Sequence, residues 1–457
     1  VVKSYRRGCI AVHVTGPMIA PKPASRPDRV SLWRYWQMFR SDILSAQPAR
    51  LYRAKMAEFR TPFFRSILVN EPDLIARVLT ETPKEFPKST RVTRGLAPLL
   101  GASVFVTNGE DWARQRRIID PAFEGGRVRE MFPAMVAAAD AMMARLEPGD
   151  VDVEQLASHA TADVIFRALF SVPIDDTLAA RTYTAFRAFQ RSQPGARISA
   201  LVPWVPNLQS RAARRAAADI RAAIGALVAE RRLALNRGDA PDDLATKLMQ
   251  SEDPEDGTRF TEAEVVDQVA IFFLAGHETS AALLGWALWL LAAAPEWGRR
   301  VEAEAEAFSN APSFAGLSQL PVLRDVLRET LRLYPPVPMF VREATRDARF
   351  RNRDVRPGDQ VVISPWHLHR SERHWENPDV FDPSRWQGVA TKEAYVPFSK
   401  GPRVCPGAGF AMNEVSVLLA AVLASYRFET RGTPVPVAHL TVRSRDGITL
   451  RAVKRET

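Results

Sequence analysis

The sequence predicts one large domain that is mainly α-helical and carries small β-hairpins. Its 457 residues contain no glycine–serine linker, no long run of one charge, no low-complexity block and no repeat at solenoid spacing. Hydrophobic residues make up 46% of the chain, which is ample for a large core, and charged residues make up 25%. We therefore expect residues 1–457 to form a single domain, with residues 1–30 as an N-terminal extension.

Capping signals and apolar periodicity predict the main helices. The segment SLWRYWQMF predicts a short aromatic helix, and a helix carrying WARQRRII is expected to open after Asn108. An alanine- and arginine-rich helix is expected from about Arg211 to Arg237. A long helix is expected to follow Thr261, because Thr261 and Glu264 have the spacing of a capping box. Prolines should end the helix VLRETLRLYPP, and a last helix should run to about Ser425.

Short strands are expected between these helices. The segment FFRSILV predicts part of a β-hairpin, with a turn at Asn70-Glu71-Pro72 and a helix that begins at Asp73. The segments RDARF and QVVISP predict further strands, and HLTVRSRDGITLRAV predicts strands at the C-terminus. The expected pattern is therefore α-rich with minor β-structure.

The charge balance excludes some classes of function. The formal net charge is +10, but there is no basic stripe with interleaved aromatics and no zinc-ligand spacing, so a nucleic-acid partner is not expected. For most arginines, including those of the helix from about 211 to 237, we expect a solvated surface. An acidic protein partner fits the positive charge better, because complementary charge steers encounter.

Two further features concern the compartment. The cysteines Cys9 and Cys405 do not suggest a disulfide framework, and the first twenty residues contain no sustained apolar segment. The most apolar stretch, residues 270–294, is long enough to span a bilayer, but polar residues from His277 to Ser280 interrupt its middle. We expect a buried core helix with a functional polar patch, no stable membrane anchor, and a cytoplasmic protein.

The loop FSKGPRVCPG carries the most information. Cys405 lies just ahead of a helix, so backbone N–H groups and the helix dipole can stabilise a negative sulfur. Gly401 and Gly407 allow tight turns and a close approach of the backbone. A lone cysteine is usually an inert buried residue. Here, however, Phe398, Gly401, Arg403, Cys405 and Gly407 follow one another at offsets of three, two, two and two.

This spacing resembles the haem-ligand signature of the cytochrome P450 family, Phe-x-x-Gly-x-Arg-x-Cys-x-Gly. The resemblance implies haem b held by Cys405 as the metal ligand, with Phe398, Arg403 and Gly407 also binding the cofactor. Arg403 would reach a haem propionate. The fold it implies is a single P450-like haem domain, and the resemblance extends from about Phe63 to the C-terminus.

A second segment resembles a structural motif of the same family. Glu329 and Arg332 lie three positions apart on one helix face, which by itself describes an ordinary surface pair. Arg385 follows in the proline-rich segment NPDVFDPSRW. The three resemble the Glu-Arg-Arg triad that holds this segment, the meander, against the helix. We expect a structural role for them and no chemistry.

A third segment resembles the propionate-binding helix of the family. Trp112 and Arg116 stand one helical turn apart in DWARQRR and can point at one target. Arg342, in MFVREA, matches a further propionate arginine. Any single arginine on this basic chain could be a solvated surface charge. Together with Arg403, these residues are expected to bind the carboxylates, because the arginine fork is bidentate and permanently charged.

A fourth segment, AGHETS, resembles the oxygen-binding segment of the family. Ala275 and Gly276 would contact the cofactor, and Gly276 with Thr279 would open a groove beside the iron. Glu278 and Thr279 would be the catalytic acid–alcohol pair that relays protons. The alternative is a buried threonine beside a solvent-facing glutamate.

The resemblance implies a monooxygenase that hydroxylates an apolar organic substrate with O2 and two electrons. Electrons would come ultimately from NAD(P)H, through an acidic ferredoxin and its reductase, since no reductase is expected within the chain. Arg114, Arg117 and Lys400 are candidates for the ferredoxin-docking surface. Two alternatives remain open: a catalyst that uses peroxide or rearranges its substrate without an electron partner, and a non-catalytic haem sensor or ligand-sequestering protein.

The substrate itself is not readable from these motifs. The resemblance places the substrate pocket among four segments, at residues 90–106, 186–201, 275 and 337–340. They are apolar enough for a fatty acid, a terpenoid, a steroid or an aromatic ring. The overall pattern is closest to the branch of the family that includes fatty-acid hydroxylases.

Overall fold

Helices make up most of the computed structural model, which describes residues 17–61, 64–192, 211–388 and 392–456. In chain order the helices are α1 (Leu32–Ser41), α2 (Pro72–Ala76), α3 (Thr90–Leu100), α4 (Gly109–Ile119), α5 (Gly125–Glu130), α6 (Phe132–Arg145), α7 (Val153–Phe170), α8 (Thr177–Ser192), α9 (Arg211–Arg237), α10 (Leu244–Gln250), α11 (Glu262–Ala293), α12 (Pro295–Asn310), α13 (Pro321–Leu333), α14 (Pro365–Leu368) and α15 (Ala408–Ser425). The predicted mainly helical fold class is confirmed.

The strands form small separate sheets. They are β1 (Met56–Arg60), β2 (Arg65–Val69), β3 (Gly149–Asp152), β4 (Phe340–Glu343), β5 (Ala348–Phe350), β6 (Arg353–Val355), β7 (Gln360–Ile363), β8 (Tyr426–Thr430), β9 (Pro436–Ala438), β10 (Val442–Ser444) and β11 (Thr449–Lys454). The largest sheet has the order β1-β2-β7-β4, and a second has the order β3-β11-β8. The pairs β5–β6 and β9–β10 form two-stranded ribbons.

The first hairpin differs from the prediction. Strand β2 pairs antiparallel with β1, from Met56 opposite Val69 to Arg60 opposite Arg65, so the hairpin turn lies between them and not at residues 70–72. Asn70 instead follows the end of β2, and α2 begins at Pro72, one residue earlier than expected. The first strand, MAEFR, is only half-buried, and its mixed polarity lacks the apolar alternation that marks a strand in sequence.

Helix α11 occupies the centre of the core and packs against α7, α9, α13 and α15. Its N-terminus has the predicted capping box: Thr261 Oγ1 accepts from the Glu264 N–H, and the Glu264 side chain accepts from the Thr261 N–H at 2.8 Å. Helices α11 and α15 are both long and apolar enough to cross a membrane, by length and composition only. Most of the apolar window of α11 is buried inside the described structure, as expected for a core helix.

The alanine- and arginine-rich helix α9 ends at Arg237 as predicted, but not all of its arginines face water. Arg231 is buried, and its Nη2 lies 2.6 Å from Asp243 Oδ2 at the start of α10. Arg221 Nη2 lies 2.7 Å from Asp267 Oδ1 on α11. These two arginines tie α9 to its neighbours, a role that helical spacing alone does not reveal.

Candidate active site

The cysteine loop turns sharply and delivers Cys405 to the N-terminal side of α15. The Cys405 N–H donates to the Phe398 carbonyl at 2.9 Å, and the Val404 N–H donates to the Gly401 carbonyl at 3.0 Å. Gly401 has a φ of +70°, and a Cβ there would lie 2.1 Å from the Leu79 carbonyl oxygen. Only glycine fits both the conformation and this close approach. The tight turn predicted at Gly401 is therefore confirmed, and the close approach seen there is to the Leu79 backbone.

Opposing effects act on the pKa of the Cys405 thiol. Cys405 is a free cysteine and the residue is exposed. Neighbouring protein atoms nevertheless desolvate its sulfur, and this desolvation raises the pKa of the thiol. A backbone hydrogen bond at Gly407 and the nearby charge of Arg116 act in the opposite direction. The ligand-free thiol is therefore held mainly neutral, and a bound cation would be needed to favour its thiolate.

Three cations converge near this loop, and we call them the cation cluster: Lys88, Arg342 and Arg403. Arg403 lies over the Trp112 ring at 4.4 Å from its centroid, and Lys88 Nζ lies over the same ring at 5.9 Å. The backbone of Lys88 bridges to that of Arg342. Within the described part of the chain, none of the three forms an ion pair with a carboxylate.

The electrostatics of the cation cluster reflect this lack of a counter-charge. Burial, with the charges of Arg403, Arg342 and Arg116, lowers the pKa of Lys88 to about 6. Burial and Arg403 lower the pKa of Arg342 to about 10. Such a cluster is suited to an anionic group bearing carboxylates. Sequence reasoning found Arg342, Arg403 and Trp112 but missed Lys88, because nothing in the segment PKEFPKS distinguishes it from a surface lysine.

Arg116 has a different role from that of the cation cluster. Its Nη1 donates to the Val404 carbonyl at 2.9 Å, and its Nε lies 2.8 Å from Asp120 Oδ1. Arg116 therefore braces the residue before Cys405, and its own charge is already paired. That it also binds a propionate stays a prediction.

The middle of α11 presents a small polar face within an otherwise buried helix. Ala275 is exposed, while Gly276 and Thr279 are half-buried. Thr279 Oγ1 donates to the Ala275 carbonyl at 2.6 Å, and α11 remains continuous through this turn. A Cβ on Gly276 would lie 2.4 Å from Ile165 Cδ1 on α7. This neighbour is the end of a flexible side chain, and the groove-opening role expected for Gly276 stays a prediction.

Glu278 and His277 lie on the buried side of the same turn. Glu278 is 4% exposed, and its Oε1 accepts from Arg443 Nη2 at 2.6 Å. His277 is fully buried, and its Nε2 lies 2.9 Å from Ser158 Oγ on α7. Burial lowers the pKa of His277 to about 3, so the ring is neutral. The alternative of a solvent-facing glutamate is wrong, because an arginine from β10 caps this carboxylate.

The Glu-Arg-Arg triad is confirmed as a buried structural unit. Glu329 and Arg332 have fully buried side chains, with Arg332 Nη2 2.7 Å from Glu329 Oε1. Arg385 Nε lies 3.3 Å from the same oxygen. Arg332 also donates to the carbonyls of Pro378 and Val380 in the meander. The triad therefore holds the meander against α13, as the family resemblance implied, and Glu329 and Arg332 are not an ordinary surface pair.

Two of the three residues expected at a ferredoxin-docking surface form ion pairs within the protein. Arg114 Nη1 lies 2.8 Å from Glu264, and Arg117 Nε lies 2.7 Å from the buried Asp253. Both arginines are half-buried and their charges are already paired, and their assignment to a docking surface stays a prediction. Lys400 Nζ donates to the Glu393 carbonyl at 3.0 Å and stays a candidate.

The segments expected to line a substrate pocket are only partly described. Residues 193–201 lie outside the described residues. Elsewhere the apolar side chains of Phe105 and Val337 are 45% and 37% exposed. Ala275 is exposed on α11 as well. These positions keep their predicted role as an apolar lining.

Comparison with known proteins gives concordant matches. The protein-family model described as Cytochrome P450 matches residues 52–450. Cyclooctat-9-en-7-ol 5-monooxygenase of Streptomyces melanosporofaciens is 30% identical over 450 residues, covering 92% of this chain and 94% of that protein. Cyclooctatin synthase of the same organism is 32% identical over 396 residues, covering 83% of each chain. The 11-oxo-beta-amyrin 30-oxidase of Glycyrrhiza uralensis is 29% identical, covering 83% of this chain and 77% of that protein.

Proposed function

Because this chain belongs to the cytochrome P450 family and is a monooxygenase of that family, we propose that Cys405 is the thiolate ligand of its haem b. The observation that carries this proposal is the pairing of a free cysteine with the unneutralised cation cluster. Haem b offers an iron that a thiolate can bind and two propionates that cations can neutralise. The donor set therefore fits the cofactor that the family implies.

Side chains of this protein would bind the cofactor, supply protons and receive the substrate. Haem supplies the activation of O2, which thiolate ligation favours. Lys88, Arg342 and Arg403 would bind the propionates, and the Trp112 ring packs against Lys88 and Arg403. The Thr279 hydroxyl would hold a proton donor, and Glu278 would supply protons to it. The apolar side chains at Phe105 and Val337 exclude water and receive the substrate.

A polycyclic terpenoid is the proposed substrate class. The relatives include a protein named for cyclooctat-9-en-7-ol and one named for 11-oxo-beta-amyrin, which motivates this choice among fatty acids, terpenoids, steroids and aromatics. The sequence pattern favoured the branch that includes fatty-acid hydroxylases, and that preference stays untested. Neither the geometry nor the comparisons support a peroxide-driven enzyme or a non-catalytic sensor.

The electron donor is proposed to be a small acidic ferredoxin, served by an NAD(P)H-dependent reductase, in the cytoplasm. Arg324 and Arg328 on α13 line a cavity of about 260 Å³ together with Phe398 of the cysteine loop. With Lys400 they provide positive charge close to the loop that carries Cys405. Changing Arg324 and Arg328 to Glu should slow reduction mainly at low salt, because complementary surface charge acts on the encounter rate.

The test is spectroscopic and needs one matched variant. Purified ferric protein is titrated with cyclic terpenoid alcohols and, separately, with fatty acids, while the low-spin to high-spin shift of the haem band is followed. Cys405→Ser serves as the ligand variant. We expect a thiolate-type carbon monoxide spectrum that Cys405→Ser loses, and a spin shift with the terpenoids. A thiolate spectrum retained in Cys405→Ser would overturn the ligand assignment, and a shift with fatty acids alone would overturn the substrate class.

A further inference from the structure

The loop that connects α3 to α4, residues 101–108, carries one of the apolar side chains assigned to the substrate pocket. We call it the connecting loop, and its Phe105 is 45% exposed. The loop contains no helix or strand, and its internal hydrogen bonds are turns closed on the carbonyls of Leu100 and Ser103. Its position is therefore set by the side chains that other elements place against it.

The carboxylate of Asp267 on α11 lies directly against the start of the connecting loop. Its Oδ2 accepts from the Ala102 N–H at 2.8 Å, and the residue is only 8% exposed. Gly101 has a φ of +53°, and a Cβ there would lie 2.0 Å from Asp267 Oδ1. Only glycine fits both this conformation and this approach. The loop backbone thus packs on the carboxylate with no side chain between them.

Arg221 on α9 neutralises this carboxylate and holds the chain that enters the loop. Its Nη2 lies 2.7 Å from Asp267 Oδ1, and the two side chains are 30% and 11% exposed. Its Nη1 donates to the Leu99 carbonyl at 3.1 Å, near the end of α3. We call Asp267 and Arg221 the clamp. Because a buried carboxylate is costly without its partners, the clamp favours one position of the loop.

Three further side chains hold the same stretch of backbone. Gln268, next to Asp267 on α11, accepts from the Val104 N–H through Oε1 at 3.0 Å. Gln115 on α4 donates from Nε2 to the Ala102 carbonyl at 2.7 Å. Lys88 Nζ donates to the Val104 carbonyl. The residues just before the exposed phenylalanine are therefore fixed from α4, α9, α11 and the segment that precedes α3.

We propose that Asp267, held by Arg221, is a positioning residue for substrate selection, which keeps Phe105 as a fixed wall of the substrate pocket. This inference rests on the function proposed above, in which Phe105 receives the substrate. Moving the wall would leave the Asp267 carboxylate without the Ala102 N–H, so the loop resists adapting to each molecule. A fixed wall suits a rigid polycyclic molecule and limits which of its carbon atoms can react.

The test uses three variants of the haem-loaded protein and one control. Asp267→Ser removes the carboxylate, Arg221→Gln removes its counter-charge, and Arg221→Lys keeps that charge. The control is Arg237→Gln, because Arg237 lies on the same helix α9 but pairs with Asp239 on the exposed surface. Hydrogen–deuterium exchange of residues 101–107 measures the order of the loop. Spectroscopic titrations with imidazole, which is small, and clotrimazole, which is rigid and bulky, measure the shape of the pocket.

We expect Asp267→Ser and Arg221→Gln to exchange the amides of residues 101–107 at least about tenfold faster than the wild type. Both should bind clotrimazole about tenfold more weakly and imidazole unchanged, because only the bulky ligand needs the fixed wall. In turnover of a cyclic terpenoid alcohol, both should give a broader set of hydroxylated products. Arg221→Lys should recover most of these properties, and Arg237→Gln should match the wild type.

Wild-type exchange in both variants, or an unchanged ratio of clotrimazole to imidazole affinity, would overturn the inference. The outcome for the proposed function is separate: absence of terpenoid turnover counts against that substrate class, whereas the exchange and azole measurements need no substrate. Should Asp267→Ser fail to fold, Asp267→Asn keeps the size of the side chain and removes only its charge. That variant should also exchange faster and bind clotrimazole more weakly, and wild-type values would refute the positioning role.

Discussion

Ser280 Oγ on α11 donates a hydrogen bond of 2.7 Å to Glu414 Oε2 on α15, and both side chains are buried. Burial raises the pKa of Glu414 to about 8, against its ordinary value of 4.5, and the hydrogen bond from Ser280 only partly offsets this. Glu414 is therefore a neutral acid at pH 7, and it joins two of the helices that frame the active site.

Replacing Glu414 with Gln should flatten the pH dependence of stability. Between about pH 4.5 and about pH 8 the folded chain binds a proton at Glu414 that the unfolded chain releases. The wild type should thus lose about 1.4 kcal/mol per pH unit as the pH rises through this window. Apparent unfolding midpoints at pH 5.5 and pH 8 measure the difference, with the exposed Glu429→Gln as control. Equal pH slopes in wild type and Glu414→Gln would contradict the buried neutral acid.

Breaking the triad should be far more costly than removing a surface charge. Arg332→Met leaves the fully buried Glu329 without its closest partner and removes the donor from three backbone carbonyls, those of Pro378 and Val380 in the meander and of His369 after α14. The loss should be about 3–5 kcal/mol, or failure to fold, because the remaining charge stays buried. Arg324→Gln, on the exposed side of the same helix, should cost at most about 1 kcal/mol. Soluble yield and thermal midpoint distinguish the two, and similar losses would show that the triad contributes little.

Lys88→Met should affect the haem-loaded chain more than the haem-free chain. In the haem-free chain the substitution relieves the burial of an amine among other cations, but it also removes the hydrogen bonds from Lys88 Nζ to the carbonyls of Val104 and Thr107, so stability should fall by about 1 kcal/mol. With haem bound, the variant loses a charge-assisted contact and should release haem about tenfold faster. Haem transfer to an excess of an apo-globin measures the release, and the exposed Lys84→Met is the control. Unchanged release would remove Lys88 from the propionate site.

Thr279→Ala should uncouple reductant consumption from product formation. The hydroxyl group that now donates to the Ala275 carbonyl would be lost while the helix is kept. Reductant use should continue, peroxide should accumulate, and product per reductant should fall by about tenfold or more. Thr279→Ser, which keeps the hydroxyl group, should restore most of the coupling. Tight coupling in Thr279→Ala would refute the proton-relay role.

Features encoded over short stretches of the chain are predictable from the order of its residues. The capping box at Thr261 and Glu264, the end of α9 at Arg237, and the turn with positive φ at Gly401 depend on neighbouring residues. The Glu329–Arg332 pair is likewise one helical turn long. Local backbone geometry imposes fixed spacings between the residues involved, so these features can be recognised from the sequence.

Contacts between distant segments are not predictable in the same way. Arg114 and Arg117 are in a motif typical of a charged surface, yet Glu264 and Asp253 neutralise them from other elements. The half-buried β1 lacks apolar alternation, so the position of the first hairpin turn was predicted wrongly.

The sequence by itself determined the fold class, the cysteine loop and the family of this protein, because each depends on residue types at short, regular spacings. The tertiary structure alone decided which charges meet. Lys88 joins Arg342 and Arg403, and Arg443 reaches Glu278 across 165 positions. The physical reason is that the strength of an ion pair depends on the distance between the two charges and on their burial. Neither quantity can be read from the separation of the two residues along the chain.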